Sequence, residues 1–331
     1  MSTIDLGQLA DPNSPTGDSG AGTGRKGLKR VFPHVTPKLW VGAGMIAAIA
    51  LFGLVFPFVV QNPQAISDVG LSAPSGDHLL GTTQTGQDVF AQLAYATRGS
   101  LLIGVLVGVV AMALAIVFGV IGTYVGGFVD EAFSLFSNVV LVIPGLPLAI
   151  IVSSYVPQKG LVVIAFVIVI TSWAASARVL RAITLSLRSR DYVAASRVSG
   201  EKTWRIVAVE ILPNVLPVLA SQFLFAVIFA ILAEAGLSFL GLGVSGQFTW
   251  GSMLYFAQNG LALRLGAWWW FVPPGLMIAL LGCALSLMNF AIDEIINPKL
   301  RDQTRAGVSR ADRKRLARAE AAAGTTEGAT A

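Results

Sequence analysis

Six stretches of the chain are almost wholly apolar, at residues 39–60, 99–124, 132–156, 161–183, 215–240 and 271–292, with polar or charged segments between them. Crossing about 30 Å of hydrocarbon as an α-helix takes about 20 residues, and each stretch is long enough. The pattern predicts an all-α, polytopic membrane protein with six transmembrane helices. The chain divides into a tail at 1–38, a first helix at 39–60, a loop at 61–97, a five-helix core at 98–297 with a basic loop at 184–214, and a second tail at 298–331. No inverted internal repeat, the mark of many secondary transporters, is visible.

Charge then orients the helices. The first tail is rich in Ser, Thr, Gly, Pro and Asp and reads as disordered. It ends in Arg25, Lys26, Lys29, Arg30 and Lys38, directly before the first apolar run. The loop at 61–97 carries no Lys or Arg, whereas Arg178, Arg181, Arg188, Arg190, Arg197, Lys202 and Arg205 cluster between the fourth and fifth runs. Loops assigned to the outside hold only Lys159, Arg264 and the boundary Arg98. Positive loops stay in the cytoplasm, so both termini are expected there, in a multi-pass protein of the inner (plasma) membrane. The opening residues include Asp5 and Asp11 and lead to no cleavage-site pattern, so the first apolar run is expected to remain as an anchor. The second tail is basic, with a short helix expected at 310–323.

Composition narrows the chemistry. With 54% hydrophobic and 12% charged residues the chain is no water-soluble domain, and its net charge of +5 belongs to tails and loops, not to a nucleic-acid surface. Cys283 stands alone and excludes an internal disulfide; His34 and His78 lack ligand-spaced partners and read as solvated, so no metal site is expected. No phosphate-cradling Gly-x-x-x-x-Gly-Lys-Ser/Thr, no Gly-x-Ser-x-Gly and no His-Glu-x-x-His occurs. The chain is therefore expected to be no enzyme, with no cofactor of its own and its energy supplied by a partner.

Three features remain inside or beside the apolar runs. Glu234 is a carboxylate well inside one of them, where ionisable groups are costly; together with Ser238 it is the candidate for a substrate pathway, with helix packing as the alternative. Asp130, Glu131, Asp293 and Glu294 fall at helix ends and read as solvated. Trp268, Trp269, Trp270 and Phe271 precede the last run as an interfacial belt, or as a sugar-stacking platform, and Gly119, Gly122, Gly126 and Gly127 allow close helix packing.

The basic loop contains Asp191-Tyr192-Val193-Ala194-Ala195-Ser196-Arg197-Val198, with an acid in the first turn and Gly200 placed to stop a helix. Together with Trp204-Arg205-Ile206 and Ile211-Leu212-Pro213 it resembles the EAA loop of ABC importer permeases, with Ala194, Ala195 and Ser196 at the signature positions and Ala194 in place of the usual glutamate. Further segments are similar to the dipeptide, oligopeptide and nickel branch, in its second-subunit form. They are Leu80-Gly81-Thr82-Thr83 with Gly86-Gln87-Asp88, the run from Glu234 to Gly243 with Trp250-Gly251, Pro273 with Gly275, and the region from Asp293 to Pro298. Thr83 and Gln87 stand where the branch has Asp and Arg.

The resemblance implies a type I ABC importer permease core. It implies an ATPase-coupling site at Asp191, Tyr192, Ala194, Ala195, Ser196, Arg197, Gly200 and Arg205. The implied partners are a homologous permease subunit, two ABC ATPase subunits that bind ATP and Mg, and an extracytoplasmic substrate-binding protein. Peptides come first as substrate, then oligosaccharides, then nickel. The rival reading is a stand-alone secondary transporter.

Overall fold

In a bilayer every backbone N–H and C=O must find a partner within the chain, so uninterrupted apolar runs become helices. A computed structural model describes residues 37–156 and 160–296. Residues 1–36 and 297–331, with His34 and the helix expected at 310–323, lie outside the described residues, as does Lys159, while Pro37 and Lys38 open the first helix.

The helices are α1 (Pro37–Val55), α2 (Val89–Ala115), α3 (Gly127–Val142), α4 (Gly145–Tyr155), α5 (Leu161–Arg188), α6 (Asp191–Val198), α7 (Leu212–Phe239), α8 (Trp250–Asn259) and α9 (Trp268–Ile296). Two are extended by π-helical turns. Beyond α2 the rod runs through Ile116–Ile121 to Val125, and α7 is preceded by Thr203–Ile206 and Val207–Ile211. Each rod spans 37 residues, about 55 Å at the helical rise, and so outruns the hydrocarbon layer at one or both ends.

Among the described residues five continuous helices are long and apolar enough to cross a membrane, and the expected third crossing is a bent pair, α3 and α4, turning by 84°. Pro144 is the cause: it has no N–H to donate and holds Ile143 in extended conformation (φ −75°, ψ 125°), so the helix stops and restarts.

The second helix begins at Val89, not near residue 99. Asp88 caps it, accepting the Ala91 N–H at 2.9 Å, and the polar side chains that follow, Gln92, Thr97 and Ser100, are buried against other segments. The fourth run continues to Arg188 and the fifth begins at Thr203, so the basic loop is shorter than 184–214.

Helices α2, α5 and α7 pack against one another and α1 lies along α9. At one end, Ala111, Tyr124, Leu180, Val193, Ile206 and Ile211 share an apolar cluster; this is the basic end. At the opposite, loop end, Leu93, Trp250, Met253 and Trp270 form another.

Candidate functional site

At the basic end, α6 is a two-turn helix lying outside the bundle. Asp191 occupies its first turn and Arg197 its last, as the helix dipole favours. Gly200 closes it at φ +76°, a left-handed conformation suited to glycine, with its N–H donating to the Arg197 carbonyl at 3.0 Å. Val193 is the buried residue of α6, fully enclosed in the cluster with Tyr124, Leu180, Ile206 and Ile211. One side chain thereby seats α6 against α5 and the two π-extended rods.

Asp191, Tyr192, Ala194, Ala195, Arg197 and Gly200 are exposed, and Ser196 is half-buried with its hydroxyl donating to the Tyr192 carbonyl at 3.1 Å. Arg197 turns back onto the bundle: its Nε donates to the Tyr124 hydroxyl at 3.1 Å, and its guanidinium carbon lies 4.8 Å from the Tyr124 ring centroid. Arg205 pairs with Glu201 one helical turn away. Val198 is 90% exposed and Trp204 67%, flanking the small residues with apolar surface.

The nearby cations are not all loop charges. Arg181 grips Asp130 through two bonds of 2.8 and 2.9 Å, Arg178 donates to Asn138 at 2.9 Å, and Arg188 donates to the Thr123 carbonyl at 3.1 Å. Asp130 is therefore an ion-paired bracket between α3 and α5, not a solvated helix end.

At the loop end, hydrogen bonds tie the described segment 61–88 together. His78, expected to be solvated, has its Nδ1 2.8 Å from the Asp88 carboxylate and is largely covered. Thr83 exchanges bonds with Gln87, its N–H donating to the Gln87 carbonyl at 2.8 Å and its hydroxyl accepting the Gln87 N–H at 3.1 Å. Gln87 meets Thr83 through its backbone, while its side-chain oxygen accepts from the Gln92 amide at 2.7 Å. Of the tryptophan cluster, Trp268 is exposed and set edge-on to Trp269, Trp269 donates to the Thr82 carbonyl at 3.2 Å, and Trp270 is buried.

Glu234 is 1% exposed. Its Oε1 accepts from the Ser238 hydroxyl at 2.5 Å and from the Thr249 hydroxyl at 2.7 Å, and its Oε2 has no partner. The carboxylate is enclosed within this chain; Ser238, also buried, borders a cavity of about 270 Å³. Thr249 is at the same time the N-cap of α8 in a reciprocal capping box with Ser252. Trp250 then fastens α8 to α2, its N–H donating to Ser100 at 3.0 Å and its indole to Thr97 at 3.1 Å. Sequence reasoning missed α8; the signal was Thr249 followed by Ser252. Among the described residues no three His, Cys, Asp or Glu side chains gather where a metal ion would be held.

Residues 111–302 match the family described as "Binding-protein-dependent transport system inner membrane component". The chain is 33% identical over 290 residues to the dipeptide transport system permease protein DppC of Bacillus subtilis (strain 168), covering 83% of this chain and 89% of that one. It is 32% identical to the oligopeptide transport system permease protein OppC of the same organism, covering 79% and 85%. To OppC of Mycobacterium tuberculosis (strain ATCC 25618 / H37Rv) it is 30% identical, covering 80% and 91%. With a family match over more than half its length and relatives aligned along most of theirs, the chain belongs to the inner membrane components of binding-protein-dependent transport systems.

Proposed function

We propose that this chain is one permease subunit of an ATP-driven peptide importer, with α6 as the element that receives force from an ATPase subunit. The observation that carries the reading is the build of α6: small and apolar residues face outward while Val193 alone is buried, at the meeting point of three spans. A push on such a helix reaches α2, α5 and α7 together. The relatives' names supply the substrate class, dipeptides and oligopeptides.

In this reading the chain pairs with a homologous permease subunit, and two ABC ATPases that bind ATP and magnesium dock at the basic end. A binding protein delivers substrate at the loop end, which faces outward, and both termini are cytoplasmic. Movement of α6 with the closing ATPase pair shifts the three spans seated on Val193 and opens the loop end. The reverse movement reopens the basic end.

The test is a double variant, Arg197→Glu with Gly200→Leu, assayed for ATP-driven uptake of a labelled dipeptide in inside-oriented cells. The first change removes the Tyr124 contacts and the second forces a branched residue into the left-handed conformation at φ +76°. Uptake should fall at least tenfold, the scale of losing an interaction worth about 1.4 kcal/mol, with the amount in the membrane unchanged. Uptake at the native rate removes α6 from the coupling role.

A further inference from the structure

We infer that the two cavities at the loop end form one groove for the carboxyl-terminal part of a peptide, in which Arg98 receives the terminal carboxylate. The inference rests on the peptide reading above and assigns that substrate a site on this chain. The first cavity, of about 270 Å³, is bordered by Ser238, Ser252 and Tyr255. The second, of about 540 Å³, is bordered by Asn62, Tyr95 and Arg98. They share a wall made by Gln64, Gln247 and Phe248, and their sizes suit a small ligand.

The lining points to the ligand class. Side-chain amides and hydroxyls both donate and accept, which is what alternating peptide N–H and C=O groups require. Arg98 is the one charged side chain bordering either cavity, and among the described residues it has no ion pair and no side-chain hydrogen bond. A groove of apolar walls and neutral hydrogen-bonding side chains, with a single guanidinium free of ion pairs, is complementary to a chain that is neutral along its length and anionic at its terminus.

The groove is also held in shape from behind. A Cβ on Gly99 would lie 2.2 Å from the Phe248 carbonyl oxygen, so the shared wall is pressed directly onto α2. Glu234 holds Thr249 next to that wall, and Trp250 is fixed to Ser100 and Thr97. Walls fixed in this way lower the ordering cost of binding.

The test uses the full-length chain, purified with its partner subunits into phosphatidylcholine nanodiscs, and a tripeptide bearing a benzophenone photolabel. The probe is made as the free acid and as the carboxyl-terminal amide. Free acid should label peptides containing residues 62–64, 95–98 or 246–248 about tenfold more strongly than amide, the effect of one charge-assisted hydrogen bond. Arg98→Gln should erase that difference and Arg98→Lys should retain most of it. Because Arg98 is exposed, neither change touches the packed core.

Equal labelling by acid and amide, a preference that survives in Arg98→Gln, or labelling confined to other segments overturns the inference. So does a preference abolished by replacing the lipid with phosphatidylglycerol, which would make the guanidinium a lipid-headgroup contact. ATP-driven uptake by the unaltered complex is read separately. Peptide uptake without any acid preference at the groove removes only the Arg98 site, while a preference without uptake supports the site and counts against peptide transport.

Discussion

The two ends of the bundle are built in opposite ways. At the loop end, α8 and the segment before it are locked to α2 and α7 by buried hydrogen bonds from Glu234, Thr249 and Trp250 and by glycines against backbone. At the basic end, α6 rests on one enclosed valine and an arginine laid on a tyrosine, and the rest of its surface is open. A rigid, internally satisfied end keeps a cavity in shape, and a helix such as α6, with few contacts to the bundle and exposed apolar side chains beside it, is suited to a surface supplied by another protein.

The sharpest way to break this contrast is at Gly99. Replacing it with Leu sets a side chain against the Phe248 backbone, which no rotamer relieves, and a cost of about 3 kcal/mol or more is expected. Little folded chain should be recovered from membranes by detergent-resistant fluorescence chromatography; a normal yield would show that the loop end is looser than its contacts imply.

Next in size is Val193→Asp, which buries an unpaired carboxylate among apolar side chains at about 3 kcal/mol. Val193 is the buried residue of α6, so the damage is expected to centre on that helix and its seat. Uptake should be lost while the midpoint of thermal unfolding moves by only a few degrees. A large fall in that midpoint would mean that α6 is part of the bundle's structural core.

Glu234→Leu leaves the Ser238 and Thr249 hydroxyls without their acceptor, at about 1–3 kcal/mol, whereas Glu234→Gln keeps an acceptor oxygen in place. Thermal unfolding should rank native and Gln close together with Leu well below. If Gln falls as far as Leu, the negative charge itself, not the hydrogen-bond geometry, is what the loop end needs.

The smallest effect on the isolated chain is expected for Trp204→Ala. An exposed ring removed from the surface should change stability by no more than about 0.5 kcal/mol. Retention of an ATPase subunit during purification should nevertheless drop, and an unchanged yield of that subunit would place the docking surface elsewhere.

Much of this architecture is legible in the sequence because the bilayer imposes long, simple runs. The helix at Asp191–Val198 is legible from an acid, a basic last turn and Gly200, all local signals. The start of α2 was not, since Gln92, Thr97 and Ser100 look like loop residues until Trp250 and Gln87 are found beside them. The pairing of Asp130 with Arg181, of His78 with Asp88 and of Glu234 with Thr249 joins residues far apart in sequence or separated by a turn, and spacing alone does not reveal such partners. The groove beside Arg98 is hidden for the same reason: its walls come from three separate segments.

The turn at Pro144 has a consequence for life in a membrane. Where α3 stops and α4 restarts at 84°, the last carbonyls of α3 have no following turn to bond, and Val142 is 82% exposed. Lipid tails offer nothing to a bare peptide group, so irregular backbone at that depth persists only beside protein or trapped water. An elbow of this kind needs protein or trapped water against its bare carbonyls wherever it meets hydrocarbon.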